Sequence, residues 1–131
     1  MDFTITVNPT AHVNDPVDQE RCNGSATAAV NFTTNNTGGV VTYDWSNDTS
    51  RLGWLEQVRA IPASRATNAG TAPVTATIDV TPYFDGGCAG ATESFTITVN
   101  LTAQVNNPGD QELCNGAATT AVTFTTNNTV G

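Results

Sequence analysis

The sequence Phe-Thr-Ile-Thr-Val-Asn occurs twice in this chain, at residues 3–8 and again at residues 95–100. At the same offset of 92 residues, positions 3–39 align without a gap to positions 95–131, and 28 of the 37 pairs are identical. Self-similarity at a fixed period is typical of repeat arrays, and this period matches one small β-sandwich domain better than a solenoid unit. The sequence therefore predicts a tandem repeat.

Alternating apolar and polar residues predict short β-strands throughout the chain. In residues 3–8 the apolar side chains are Phe3, Ile5 and Val7, and in residues 95–100 they are Phe95, Ile97 and Val99. This period of two indicates half-buried strands, and the intervening Gly, Asn and Pro residues indicate turns. We predict an all-β fold, an antiparallel β-sandwich. Its inward face is predicted to comprise Val30, Phe32, Val41, Trp45, Ile78, Val80, Phe95, Ile97 and Val99.

The composition excludes several classes of partner. The chain has 12 acidic residues, four arginines and no lysine, which gives a formal net charge of −8. Nucleic acids and anionic membranes are therefore poor partners, because binding to phosphates needs clustered cations. No apolar run is long enough to insert in a bilayer. Residues 1–3 do not begin a signal peptide, and we expect the sequence to be an excerpt from a longer chain.

Three cysteines in this β-rich composition indicate an oxidising compartment. Cys22 and Cys88 lie within one period, and Cys114 is the repeat of Cys22. We predict a Cys22–Cys88 disulfide, with Cys114 left unpaired in this window. The alternative is three buried free thiols.

The chain shows no motif for catalysis. Its single histidine is His12, which is replaced by glutamine in the repeat, and no Gly-x-Ser-x-Gly motif occurs. No His and Cys spacing fits a metal site, and we predict no cofactor. Asp15, Asp18 and Glu20 share one loop and are candidate Ca²⁺ ligands, although the EF-hand order with its central glycine is absent and a solvated acidic turn is the simpler explanation.

Three motifs together resemble a known family. Val41-Thr-Tyr-Asp-Trp45 lies between Cys22-Asn-Gly24 and the closing strand at residues 95–100. This string is similar to the PKD-like repeat of very large secreted surface proteins in Bacteroidota, some of which are adhesins. The resemblance implies an immunoglobulin-like fold, an extracellular or cell-surface location and a spacer or adhesive role. It also implies the boundaries: residues 1–8 close a preceding repeat, residues 9–100 form a complete repeat, and residues 101–131 open the next.

One stretch departs from the family pattern. Such repeats usually have a small, glycine-rich sequence where this chain has residues 53–65, which include Trp54, Arg59 and Arg65. Either a variable loop or a compensated frameshift would explain the difference.

Three functional hypotheses follow. The first is a structural module of an extracellular array, without catalysis, whose partners are neighbouring repeats or copies of itself. The second is a separate filament subunit in which an end strand of one copy completes a neighbour, because unpaired strands invite edge addition. The third is a carbohydrate-binding module that binds a glycan through Trp54 or Tyr83.

Overall fold

A computed structural model describes residues 1–48 and 60–129, and the regular structure in these residues is entirely β. The strands are β1 (Gln19–Cys22), β2 (Val30–Asn31), β3 (Val41–Asn47), β4 (Ala60–Ile61), β5 (Val74–Phe84), β6 (Cys88–Ala89) and β7 (Glu93–Asn100). The predicted all-β class is confirmed. Within the described ranges, no helix is long and apolar enough to cross a bilayer.

The strands form two sheets. The larger has the order β1-β7-β5-β3, with β6 also paired to β5, and the smaller consists of β2 and β4. Val30 and Ile61 of the small sheet belong to the same buried cluster as Trp45, Ile78 and Ile97 of the large one. Two sheets that share one core in this way are compatible with a β-sandwich.

The large sheet is mixed rather than antiparallel, which corrects the prediction. β1 runs parallel to β7, with Gln19 opposite Ile97 and Cys22 opposite Asn100, whereas β5 is antiparallel to β3, β6 and β7. A parallel pair needs a long connection, and the chain between β1 and β7 contains all the other strands. The first strand of residues 9–100 is therefore paired with the last one.

The predicted inward face is buried except for Val41, which is half-buried near one end of β3. Tyr43 of the same strand packs partly against the core, and its ring centroid lies 5.5 Å from that of Phe32. Val13, Ile61 and Ala66 also lie in the core, although they have no strand pattern in the sequence. They enter it because loops and a two-residue strand close over the large sheet.

Residues 3–8 do not form the strand that their alternation predicts. Their apolar side chains Phe3, Ile5 and Val7 are exposed, and no ladder includes them. The physical reason is the lack of a neighbour, since a strand forms only by pairing its backbone N–H and C=O groups with an adjacent strand. The identical hexapeptide at residues 95–100 has two neighbours, β1 and β5, and forms β7.

The stretch that departs from the family pattern lies partly outside the described residues, including Trp54 and Arg59. Its second half is part of the fold. Ile61 is buried, the Ser64 backbone N–H donates to the Thr27 hydroxyl at 3.0 Å, and Arg65 forms a β-bridge with Ala26. Residues 60–65 are thus a structural component of the small sheet and its surroundings.

Candidate assembly interface

Residues that are identical in sequence differ sharply in burial, and this difference defines the candidate interface. We call residues 1–8 the N-terminal segment, residues 9–100 the central unit and residues 101–129 the C-terminal segment; counterparts are residues 92 positions apart. Ile97 is 0% exposed, whereas its counterpart Ile5 is 80% exposed. Phe32 is 8% exposed, whereas its counterpart Phe124 is 70% exposed. The apolar side chains of both outer segments are therefore without a core.

The C-terminal segment nevertheless keeps the local conformation of residues 9–37. The Asn106 N–H donates to the Thr125 carbonyl at 2.8 Å, as the Asn14 N–H donates to the Thr33 carbonyl at 2.8 Å. The Gln111 side chain bonds to both backbone groups of residue 120, at 2.9 Å each, just as Gln19 bonds to residue 28. Side chain–backbone hydrogen bonds of this kind fix a loop locally, without help from a core. The exposed face of Val105, Val122 and Phe124 is therefore presented in an ordered form.

The central unit shows what covers the equivalent face. There Val13, Val30 and Phe32 lie in one cluster with Trp45 of β3, Ile78 of β5 and Ile97 of β7. The C-terminal segment contains no strand, although residues 111–114 are the counterpart of β1. Residues 111–114 form no strand because β1, their counterpart, pairs with β7, and the C-terminal segment has no strand equivalent to β7. A segment with the sequence of residues 40–100 would bury the apolar face and would pair with residues 111–114.

The central unit and the C-terminal segment meet at a polar junction. The Thr129 backbone N–H and hydroxyl both donate to the Thr71 carbonyl, at 2.8 and 2.7 Å. A cleft of about 190 Å³ lies beside this contact, lined by residues that include Asn23, Asn68, Gly70, Leu101 and Asn128. Its lining is mainly Asn, Thr and Gly, so the cleft is suited to hydrogen bonding more than to burying an apolar ligand.

Asn68 organises the central-unit side of this junction. It is buried, and its amide group donates to the Ala72 carbonyl at 2.8 Å and to the Val99 carbonyl at 3.0 Å. Its Oδ1 accepts the Gly70 N–H at 2.9 Å, and its own N–H donates to Asn23 Oδ1 at 2.8 Å. The side chain thus ties the loop before β5 to the end of β7.

We expect Asn68→Ala to lower the free energy of unfolding by about 2 kcal/mol, because it leaves the buried Val99 carbonyl and the half-buried Ala72 carbonyl without their donor. Urea denaturation followed by tryptophan fluorescence would measure the change. The control is Asn128→Ala, which also removes an amide donor to a backbone carbonyl, that of Thr102 at 3.1 Å, but this hydrogen bond is exposed to solvent. That change should lie within about 0.5 kcal/mol. Equal losses in the two variants would contradict the role assigned to Asn68.

The predicted Cys22–Cys88 disulfide is not formed. All three cysteines are free thiols, with Cys22 and Cys114 exposed and Cys88 half-buried. Cys22 is opposite Asn100 at one end of the large sheet, whereas Cys88 is opposite Phe84 at the other end. The 11-residue strand β5 runs between these ends. The two positions are therefore separated by about 30 Å, whereas a disulfide needs Cα atoms about 4.4–6.8 Å apart.

The candidate Ca²⁺ ligands are used as hydrogen-bond acceptors. The Asp18 carboxylate accepts the Thr96 N–H at 2.6 Å, and the Glu20 carboxylate accepts from the Asn100 side chain. Both carboxylates thereby hold β7 against β1 instead of converging with Asp15 on one point. Among the residues that the structure describes, no group of three His, Cys, Asp or Glu side chains could hold a metal ion. Ca²⁺ binding by these residues therefore stays a prediction.

The two aromatic residues of the glycan hypothesis are not brought together as a described site. Trp54 lies outside the described residues, and Tyr83 is half-buried in β5, opposite Thr42 on one side and Ala89 on the other. Glycan binding stays a prediction.

Sequence reasoning missed Asn68 and Gly90 as functional positions. Gly90 lies against the backbone of Ala11, so closely that a Cβ there would be 1.9 Å from the Ala11 carbonyl oxygen. Nothing in the sequence distinguishes Asn68 from the many other asparagines. For Gly90 the only signal was its place just after the Asp85-Gly-Gly87 turn.

A scan of the chain against protein-family models found no match, and a search of curated proteins also found none.

Proposed function

We propose that this chain is a structural repeat module of an extracellular, surface-displayed adhesin or filament, built from PKD-like, immunoglobulin-like units joined end to end and without catalysis. The observation that carries the proposal is the burial of the same residues in one copy and their exposure in the other. The apolar side chains of Val105, Val122 and Phe124 are exposed on a loop that local hydrogen bonds hold in place, and a following unit would cover them. The acidic charge of −8 keeps such an elongated surface array solvated.

The test is a longer chain in which a second copy of residues 40–100 follows Gly131, so that the C-terminal segment acquires the layer that covers residues 9–37. We expect hydrogen exchange at the amides of Val122 and Phe124 to slow by at least about a hundredfold, towards the rates of Val30 and Phe32. The control carries the appended residues in scrambled order. If exchange in the C-terminal segment is the same in both chains, the tandem arrangement is contradicted.

A second candidate is favoured by the parallel pairing of β1 with β7. Residues 5–8 repeat the sequence of residues 97–100, which pair with β1, and residues 111–114 are the counterpart of β1. The N-terminal segment of one copy could therefore add to residues 111–114 of another, giving a head-to-tail filament of separate subunits.

The two candidates differ in their dependence on Ile5. If strand exchange joins separate subunits, Ile5→Asp should abolish concentration-dependent assembly in sedimentation velocity without changing the stability of the monomer, since Ile5 is exposed there. The control is Asp2→Asn, a charge change outside the repeated hexapeptide. A chain that stays monomeric at all concentrations, with or without Ile5→Asp, contradicts strand exchange and leaves the covalent array.

A further inference from the structure

The two cysteines of the central unit lie where consecutive units would meet. Cys22 pairs with Asn100, the last residue of β7, at the end where the chain leaves the unit. Cys88 pairs with Phe84 beside a tight turn, at the end where the chain enters it. The two thiols are too far apart to react with each other within one unit, yet each is near a junction. In a tandem array, Cys22 of one unit would therefore lie close to Cys88 of the next unit.

The entry end fixes the position of Cys88 relative to the incoming chain. The Gly90 N–H donates to the Pro82 carbonyl at 2.9 Å, and Gly90 lies directly against the Ala11 backbone. From Ala11 the chain advances to Cys22 at the far end, so the residues before Ala11 lie on the outer side of this contact. Cys88, two residues before Gly90, lies on the same outer side because β6 and β7 both run antiparallel to β5.

The repeat predicts that the preceding unit has a cysteine, the counterpart of Cys22, close to Cys88. Asn8 is the counterpart of Asn100, and Asn100 is the neighbour of Cys22 in the sheet. In a preceding unit, the cysteine equivalent to Cys22 would therefore lie beside Asn8, three residues from Ala11. From strand spacing and residue rise, it would lie on the order of 10 Å from Cys88. Small adjustments at the junction would then allow a disulfide.

We propose that Cys22 forms a disulfide with the Cys88 counterpart of the following unit, so that a covalent bond crosses each junction of the array. This inference rests on the proposed tandem arrangement. Both thiols are accessible, since Cys22 is exposed and Cys88 is half-buried. The two thiols lose two protons and two electrons to a disulfide oxidant such as oxidised glutathione. The new S–S bond joins the units, and the S–S bond of the oxidant is reduced to two thiols.

The extended chain described above, with residues 40–100 appended after Gly131, tests the pairing. It has four cysteines: Cys22, Cys88, Cys114 and the appended copy of Cys88. After oxidation by glutathione at low protein concentration, we expect two free thiols, those of Cys88 and Cys114. Trypsin cleaves after each of the four arginines and after the appended ones, so the non-reduced map should contain the Cys22 peptide, residues 22–51, linked to the C-terminal peptide.

Two serine variants provide the control. Cys22→Ser should abolish the linked peptide, whereas Cys114→Ser should leave it unchanged, although Cys114 has the same Cys-Asn-Gly sequence. No free thiols, together with a link between the Cys22 peptide and the peptide that carries Cys88, would overturn the proposal, and so would four free thiols. Hydrogen exchange of the C-terminal segment under reducing conditions reports separately on tandem packing. Slowed exchange without the linked peptide therefore rejects the disulfide and keeps the array.

Discussion

Replacing Ile97 by alanine is expected to lower the free energy of unfolding by about 4 kcal/mol, whereas replacing Ile5, the same residue of the same hexapeptide, should change it by less than about 0.5 kcal/mol. Ile97 is completely buried in β7 between β1 and β5, and its truncation leaves a cavity in the core cluster that also contains Ile78 and Trp45. Ile5 is 80% exposed and loses no packing. Urea denaturation at low protein concentration, followed by tryptophan fluorescence, would measure both changes.

The pair is well matched because the six-residue sequence around the two positions is identical. A difference in stability must therefore come from tertiary surroundings and not from strand propensity. A loss for Ile5→Ala as large as that for Ile97→Ala would show that the N-terminal segment is packed in the free chain, contrary to the exposure of Phe3, Ile5 and Val7. In the extended chain with residues 40–100 appended, Phe124→Ala should lower the free energy of unfolding by as much as Phe32→Ala does in the present chain.

Gly90→Ala is expected to lower the free energy of unfolding by about 3 kcal/mol, at the upper end of what overpacking costs. A Cβ at this position would lie 1.9 Å from the Ala11 carbonyl oxygen, 2.7 Å from its carbon and 2.9 Å from Pro82 Cγ. The first two contacts are with backbone, which cannot rotate away as a side chain does. The strand β6 and the entering chain at Ala11 must therefore separate, and thermal unfolding would show the loss as a lower melting temperature.

Gly87→Ala is the control for this substitution, since Gly87 lies in the neighbouring turn and a Cβ there has no atom within 4 Å. Its effect should be small. If both alanines cost the same, the loss would be a general property of glycine in this hairpin, and the close approach of Gly90 to Ala11 would not be its cause.

The strands with clear alternation were predictable, and the strand without it was not. β3, β5 and β7 follow the pattern of their sequences, and their inward residues Trp45, Ile78 and Ile97 form the core. β1 consists of Gln, Glu, Arg and Cys and has no apolar face to reveal it. It forms because β7 offers a free edge and because Asp18 and Glu20 bond to residues of β7, which are distant in sequence. Its parallel direction follows from topology and not from local sequence.

The cysteine prediction failed for a related reason. The repeat period shows that Cys22 and Cys88 belong to one unit, but it does not show at which end of the unit each residue lies. Only the registers of β1 with β7 and of β6 with β5 place them at opposite ends. The junction itself could be foreseen no better, because its acceptors are backbone carbonyls, which any residue has. The Thr71 carbonyl accepts from Thr129, and the Ala72 and Val99 carbonyls accept from the Asn68 amide.

The parallel alignment of β1 with β7 has a mechanical consequence. The chain enters the central unit at one end and leaves it at the other, so tension along an array would pull these two strands lengthwise past each other. Their hydrogen bonds lie across the direction of pulling and would have to break together. Such a unit would resist stretching more strongly than a hairpin that opens one bond at a time, as the proposed surface array would require.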